Sequence, residues 1–151
     1  MFTGIIEEIG TITDVSPAGA AIRLRVFASS SALELKGSDS VAINGVCLTV
    51  VAKNVDEFEV EAVEETLKKT TLNSMTVGDH CNLELPIRFH ERMGGHFVLG
   101  HVDVVGHIRH IEERAGSWVM TVEVPELFEK YLIPVGSIAI DGVSFTLAEV
   151  R

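Results

Sequence analysis

A chain of 151 residues, 46% hydrophobic and 23% charged, can bury a real core as one domain or two small ones. Its formal charge of −10 argues against a phosphate-backbone partner, since the only basic pair, Lys68-Lys69, is offset by Glu64-Glu65. Cys47 and Cys81 form neither a disulfide framework nor a paired metal motif, and no apolar run reaches the ~20 residues that span a bilayer. The N-terminus lacks the basic start and cleavage site of a signal peptide, so a soluble cytoplasmic protein is expected.

In chain order, Phe2 to Val15 reads as a strand interrupted by glycines and closed by a Ser16-Pro17-Ala18-Gly19 turn. Ala21 to Phe27 sets Ile22, Leu24 and Val26 against Arg23 and Arg25, the alternation of a half-buried strand. Ser29-Ser30-Ser31 ahead of Ala32-Leu33-Glu34-Leu35 predicts a capped short helix ending at Gly37. Val41 to Val50 follows as a hairpin, Asp56 to Val63 as a strand, and Glu64 to Lys69 as a turn or two of helix. Val77-Gly78-Asp79 is a turn and Cys81 to Leu85 a closing strand. Pro86 to Gly95 reads as a linker, with Gly94-Gly95 supplying freedom. Beyond it, Ser117 to Val124 predicts a strand and Pro125 to Tyr131 a short helix that takes the place of the first one.

Two stretches match closely. Val41 to Val50 reads Val-Ala-Ile-Asn-Gly-Val-Cys-Leu-Thr-Val, and Ile138 to Leu147 reads Ile-Ala-Ile-Asp-Gly-Val-Ser-Phe-Thr-Leu. Asn-Gly and Asp-Gly accept positive φ and mark hairpins. Past each break, Val46, Leu48, Val50 and Val143, Phe145, Leu147 fall on one parity, and Cys47, Thr49 and Ser144, Thr146 on the other. One face of each strand is therefore apolar, and the opposite face carries a row of small hydrogen-bonding groups. Gly4 and Gly10 likewise match Gly100 and Gly106 at an offset of 96, and the hairpin glycines Gly45 and Gly142 match at 97. An offset this long suits tandem copies of a small domain, residues 1–96 and 97–151. Nothing in the chain answers Val55 to Leu85, so a second copy cut short, and a partial sequence of a longer protein, are expected. About six short strands and one helix per copy point to small antiparallel barrels.

Five segments carry a family resemblance. They are Met1-Phe2-Thr3-Gly4-Ile5-Ile6-Glu7, Asn44 to Val50, Glu65-Thr66-Leu67, Gly94 to Asp103 and Ile140 to Thr146. Together they resemble the riboflavin synthases of the alpha-chain type over the whole chain. The resemblance implies an all-β fold of two tandem six-stranded Greek-key barrels, the second incomplete here, each binding one 6,7-dimethyl-8-ribityllumazine. It implies a homotrimer whose working site forms between the first barrel of one subunit and the second of another. The implied reaction passes a four-carbon unit from one lumazine to its twin, giving riboflavin and 5-amino-6-ribitylamino-pyrimidinedione with no metal or organic cofactor. A non-catalytic lumazine or flavin carrier of the same fold is the alternative. It would tend to lose the polar residues of the site, whereas Cys47, Thr49, Thr66, His101, Ser144 and Thr146 all stand.

The resemblance places substrate contacts at Gly4, Ile5, Ile6, Cys47, Leu48, Thr49 and the segment Glu61, Ala62, Val63, Glu64, Glu65, Thr66 in the first barrel. In the second it places them at Gly100, His101, Val102, Ser144, Phe145 and Thr146. Gly4 and Gly100 would let a flat heterocycle meet the backbone, and the threonine hydroxyls both donate and accept. His101, opposite Ile5 in the other copy, suits the proton that must leave the 7-methyl group. Ser144 and Cys47, which differ at one matched position, are further chemical candidates, although a free cysteine is commonly a small buried hydrophobe. The blander readings are a solvated strand face for the hydroxyls, a surface role for His101 and a solvated acidic run for Glu61 to Glu65. His90, His96, His101, His107 and His110 lie too far apart along strands to force convergence on a metal. Val135 stands where many relatives carry a lysine that reaches the neighbouring subunit, which removes that contact. On its own the 151-residue chain is expected to bind through its first barrel and to turn over little.

Overall fold

The computed structural model describes residues 1–151. Six strands build the first half: β1 (Glu8–Ala18), β2 (Ala21–Phe27), β3 (Ser40–Ile43), β4 (Val46–Lys53), β5 (Glu57–Ala62) and β6 (His80–Glu84). They close an antiparallel barrel in the order β1-β2-β5-β4-β3-β6, with β6 returning onto β1. Strand alternation explains the interior. Val46, Leu48 and Val50 of β4 turn inward, as do Phe58, Val60 and Ala62 of β5. They meet Ile12, Leu24, Val26, Ile43 and Leu83 in a core of 17 buried residues. Each large side chain so buried contributes about 1.5–3 kcal/mol. On the outer face, Arg23 and Arg25 of β2 sit opposite Glu61 and Glu59 of β5 and pair with them, and such solvent-exposed pairs add little to stability.

Two short helices lie between strands: α1 (Ser31–Glu34) before β3, and α2 (Glu64–Lys69) after β5, followed by a 3-10 turn at Thr71–Ser74. Ala32 and Leu35 pack into the core beside Leu72 of that turn. The serine run does not cap α1 as the sequence suggests, because Ser30 makes no side-chain cap bond. Instead the Glu8 carboxylate accepts from the Ser30 and Ser31 N–H groups and the Ser29 hydroxyl. The helix also ends at Glu34, short of Gly37. The first loop is tighter than predicted, with β1 running to Ala18 in register with Ala21. No helix is long and apolar enough to cross a membrane.

The second half holds two separate hairpins, β7 (His107–Arg114) with β8 (Ser117–Glu123), and β9 (Ser137–Ile140) with β10 (Val143–Thr146). A 3-10 turn at Glu126–Tyr131 lies between them, where a short helix is predicted. The duplication is visible pair by pair. Ser40↔Thr49 and Ala42↔Cys47 recur as Ser137↔Thr146 and Ala139↔Ser144. The bulge between Ile12 and Asp14 recurs between Ile108 and His110. Asn44-Gly45 and Asp141-Gly142 all have positive φ, as the two-residue turns require. Counterparts of β5 and β6 are the elements the second half does not contain, and its hairpins form no joint sheet.

The strand predicted from Phe2 to Val15 is divided. The Glu7 N–H still donates to the Leu83 carbonyl of β6 (2.9 Å), but ahead of it the chain leaves β1, and Phe2 exchanges both backbone hydrogen bonds with Val98 (2.8 and 3.0 Å). Phe2 and Val98 are equivalent residues of the two copies, so the junction sits on a local two-fold axis. Around it Gly45 and Gly142 approach so closely that a Cβ on Gly45 would lie 2.6 Å from the Gly142 nitrogen.

Candidate active site

The opening segments of the two copies are exchanged. The Cys47 N–H of β4 donates to the Gly100 carbonyl (2.9 Å), and the Ser144 N–H of β10 donates to the Gly4 carbonyl (2.8 Å). Both glycines require their lack of a side chain. Gly100 has φ +79° and a Cβ there would lie 2.5 Å from the Cys47 Cβ; Gly4 has φ +80° and would meet the Ser144 Cβ at 2.7 Å. The sequence grouping of Gly4-Ile5-Ile6 with the first barrel and Gly100-His101-Val102 with the second is therefore corrected. Residues 100–102 lie on the first hairpin and residues 4–6 on the second, because each opening segment crosses the two-fold junction.

Beside Cys47 the crossing leaves a half-open pocket of about 200 Å³. Its walls come from β4 (Val46, Cys47), from α2 and the residue after it (Glu65, Thr66, Lys69, Thr70), and from Gly100, His101 and Val102. Glu65 and Lys69 form an ion pair at 2.9 Å, and that hydrogen bond holds the Glu65 carboxyl below the usual range. Thr66 offers a hydroxyl, Cys47 a half-buried thiol and His101 an exposed imidazole. Cys81 faces the core instead, where burial pushes its thiol up to about 11 and leaves it inert.

At the matched place on the second hairpin, the Ser144 Oγ lies 2.8 Å from the His96 Nδ1. The donor is set by the imidazole tautomer. Nearby, the Ile5 side chain lies against Gly94, and the Ile6 Cδ1 is 3.2 Å from where a Gly142 Cβ would stand. Gly95 serves close approach and not freedom, since a Cβ there would fall 2.0 Å from the Thr3 carbonyl oxygen. His96 lies in the Gly94–Asp103 segment of the resemblance and among the scattered histidines, but sequence reading assigned it no role in the site. Antiparallel pairing across Phe2 and Val98 is what carries it to Thr3 and on to Ser144, a signal visible only once that bridge is known.

Other anticipated residues fall elsewhere. Leu48 and Ala62 turn into the barrel core, so only their backbone faces outward. Glu61 is engaged by Arg23 and Glu64 by Lys68, and Val63 is exposed. Of the Glu61–Thr66 stretch, Glu65 and Thr66 line the pocket. Thr49 and Thr146 occupy equivalent exposed positions one strand period beyond Cys47 and Ser144, and Phe145 is on the opposite face from Ser144. Val46, Lys69 and Thr70 are pocket residues that the sequence reading did not single out.

A closed barrel joined about a local two-fold to a second set of the same hairpins, with a cleft of mixed apolar and polar lining at the crossing, defines a tandem-repeat barrel protein. The family model for the lumazine binding domain matches residues 3–86 and 99–151, and the chain belongs to that family. Among curated relatives, the riboflavin synthase of Bacillus subtilis is 42% identical over 147 residues, covering 97% of this chain and 68% of that protein. The riboflavin synthase of Actinobacillus pleuropneumoniae is 37% identical over 150 residues, covering 99% and 69%. Among solved structures, LumP complexed with 6,7-dimethyl-8-(1'-D-ribityl) lumazine superposes with a TM-score of 0.87 at 25% identity, over 100% of this chain and 82% of that one. LumP complexed with riboflavin gives 0.89 at 24% identity over the same shares, a likeness of fold.

Proposed function

We propose that this protein catalyses the dismutation of two 6,7-dimethyl-8-ribityllumazine molecules, in which one gives a four-carbon unit to the other. The products are riboflavin and 5-amino-6-ribitylamino-pyrimidinedione, and the atoms balance without water or an oxidant. The observation that carries the reading is the crossed pair of equivalent hairpins, Cys47 against Gly100 and Ser144 against Gly4. A reaction between two copies of one molecule needs two related cradles, which the duplication supplies, held in fixed mutual orientation by assembly of the subunits. Such positioning can lower a barrier by about 7–11 kcal/mol. The first cradle is the pocket of Cys47, Thr66, His101 and Val102; the second is built on Ser144, His96, Ile5 and Ile6.

In this reading the glycine segments bring backbone groups against the ring edges, and the hydroxyls of Thr66, Thr49 and Thr146 extend the polar surface around them. His101 takes or returns the proton of the 7-methyl group, and the His96–Ser144 pair does the matching proton work in the other cradle. Cys47 completes the first cradle as a small polarisable wall. We further propose that the working assembly is a homotrimer that brings first-barrel and second-half cradles of different subunits together, with the domain division at residues 96 and 97.

Incubation with the lumazine, followed by riboflavin absorbance, tests the reading. Slow formation is expected, with a rate that keeps rising with lumazine beyond saturation of the first pocket. His101→Ala and Ser144→Ala should each lower turnover by about 10²-fold and change lumazine affinity by less than about threefold. Tight lumazine binding with no riboflavin formed, in a chain that also carries a complete second barrel, would assign the protein to the carriers.

A further inference from the structure

One buried carboxylate is unused by this chemistry. Glu84, the last residue of β6, is 3% exposed, and all of its hydrogen-bond donors are neutral groups of the opening segment. Its Oε1 accepts from the Thr3 N–H at 2.6 Å and the Thr3 hydroxyl at 2.7 Å, and its Oε2 accepts from the Gly4 N–H at 3.0 Å. Burying a carboxylate is costly unless its lone pairs are satisfied, so an apolar residue would serve mere packing better. What the carboxylate does is fasten one short piece of backbone. Gly4 is held on both sides, its N–H by Glu84 and its carbonyl by the Ser144 N–H at 2.8 Å.

We propose that Glu84 is a positioning residue for the Ser144 cradle. It fixes the Gly4 peptide so that its carbonyl meets the Ser144 N–H, and this sets the Ser144 hydroxyl against His96. Within β10 the Ser144 N–H points away from β9, so the Gly4 carbonyl is what protects it from exchange. The link runs from the closed barrel, through a crossing residue, to the hairpin of the other copy. Its catalytic consequence rests on the proposed dismutation, whereas its geometric content does not.

The test is Glu84→Gln in the whole chain. The amide keeps the size of the side chain but presents an NH2 to one of the two backbone N–H donors. Amide hydrogen exchange at Gly4 and Ser144 should quicken by about tenfold or more, with Val26 and Val60 in the barrel unchanged. Turnover should fall by a similar factor, with lumazine affinity at the Cys47 pocket within about twofold. Glu84→Asp, which retains the charge, should recover part of both losses. Unchanged exchange at Ser144 overturns the proposal, and so does equal acceleration at Val26 and Val60 in both variants, which would make Glu84 a stabiliser of the barrel alone. Should the wild-type chain form no riboflavin, the dismutation fails while the exchange result still decides the role of Glu84.

Discussion

The two halves of this chain carry the same local code and reach different ends. Residues 8–84 close a barrel around 17 buried side chains, whereas β7 is exposed along its whole length and the second half holds no cluster of its own. Yet the turn, the register and even the bulge are shared. Hairpin geometry is thus set within some ten residues, by Asn-Gly or Asp-Gly and alternation. The core is a non-local property. It depends on β5 and β6, which insert between β2 and β4 and between β3 and β1 and have no counterpart in residues 98–151.

Equivalent positions turn that contrast into a measurement. Leu48 and Phe145 are matched residues on the matched hairpins, 6% and 39% exposed. Leu48→Ala should destabilise the barrel by about 2–5 kcal/mol in urea unfolding, the cost of a cavity in a packed interior. Phe145→Ala should cost below about 1 kcal/mol in the same transition. Equal losses would mean that the second half shares the core of the first.

The crossing gives the next largest effect. Gly100 belongs by sequence to the second copy and by contact to the first pocket. Gly100→Ala should displace residues 100–102 from Cys47 and weaken lumazine binding by about tenfold or more, read by fluorescence titration. The free energy of barrel unfolding should fall much less than in Leu48→Ala, because Gly100 is not among the core residues and Val102 only packs against them from outside. Unimpaired binding would place the ligand elsewhere.

Much of this architecture is legible in the chain itself. Alternation located β2, β4, β5 and β8, the Asn-Gly and Asp-Gly steps located both hairpins, and Cys47, Thr66 and His101 meet in one pocket. What escaped was long-range. Nothing local says that the chain ahead of Glu7 leaves β1 and that Phe2 pairs with Val98, because Phe2 fits a strand in either setting. The exchange of Gly4 and Gly100 follows from that single bridge, as does the meeting of His96 with Ser144. Leu48 and Ala62 send their side chains into the core for a different reason: a motif names consecutive residues, whereas a strand turns every second one inward.

The smallest effect tests how each half anchors its short helix. In the first half the Glu8 carboxylate accepts from the Ser31 N–H at 2.6 Å, the Ser30 N–H at 3.1 Å and the Ser29 hydroxyl at 3.1 Å. At the matched place in the second half stands Val104, and the turn at Glu126–Tyr131 has no side-chain cap. Desolvation alone would raise the Glu8 carboxyl, but these hydrogen bonds outweigh it and hold the group below its ordinary 4.5. A folded value below the unfolded one gives stability that is complete above about pH 4.5 and fades as pH falls through the folded value. Glu8→Gln should therefore cost about 1 kcal/mol at neutral pH, in the range of a lost helix cap. Its difference from wild type should shrink on acidification below that point, as both chains come to present a neutral side chain. A difference that persists unchanged at acid pH would show that shape, and not charge, holds α1 on the barrel.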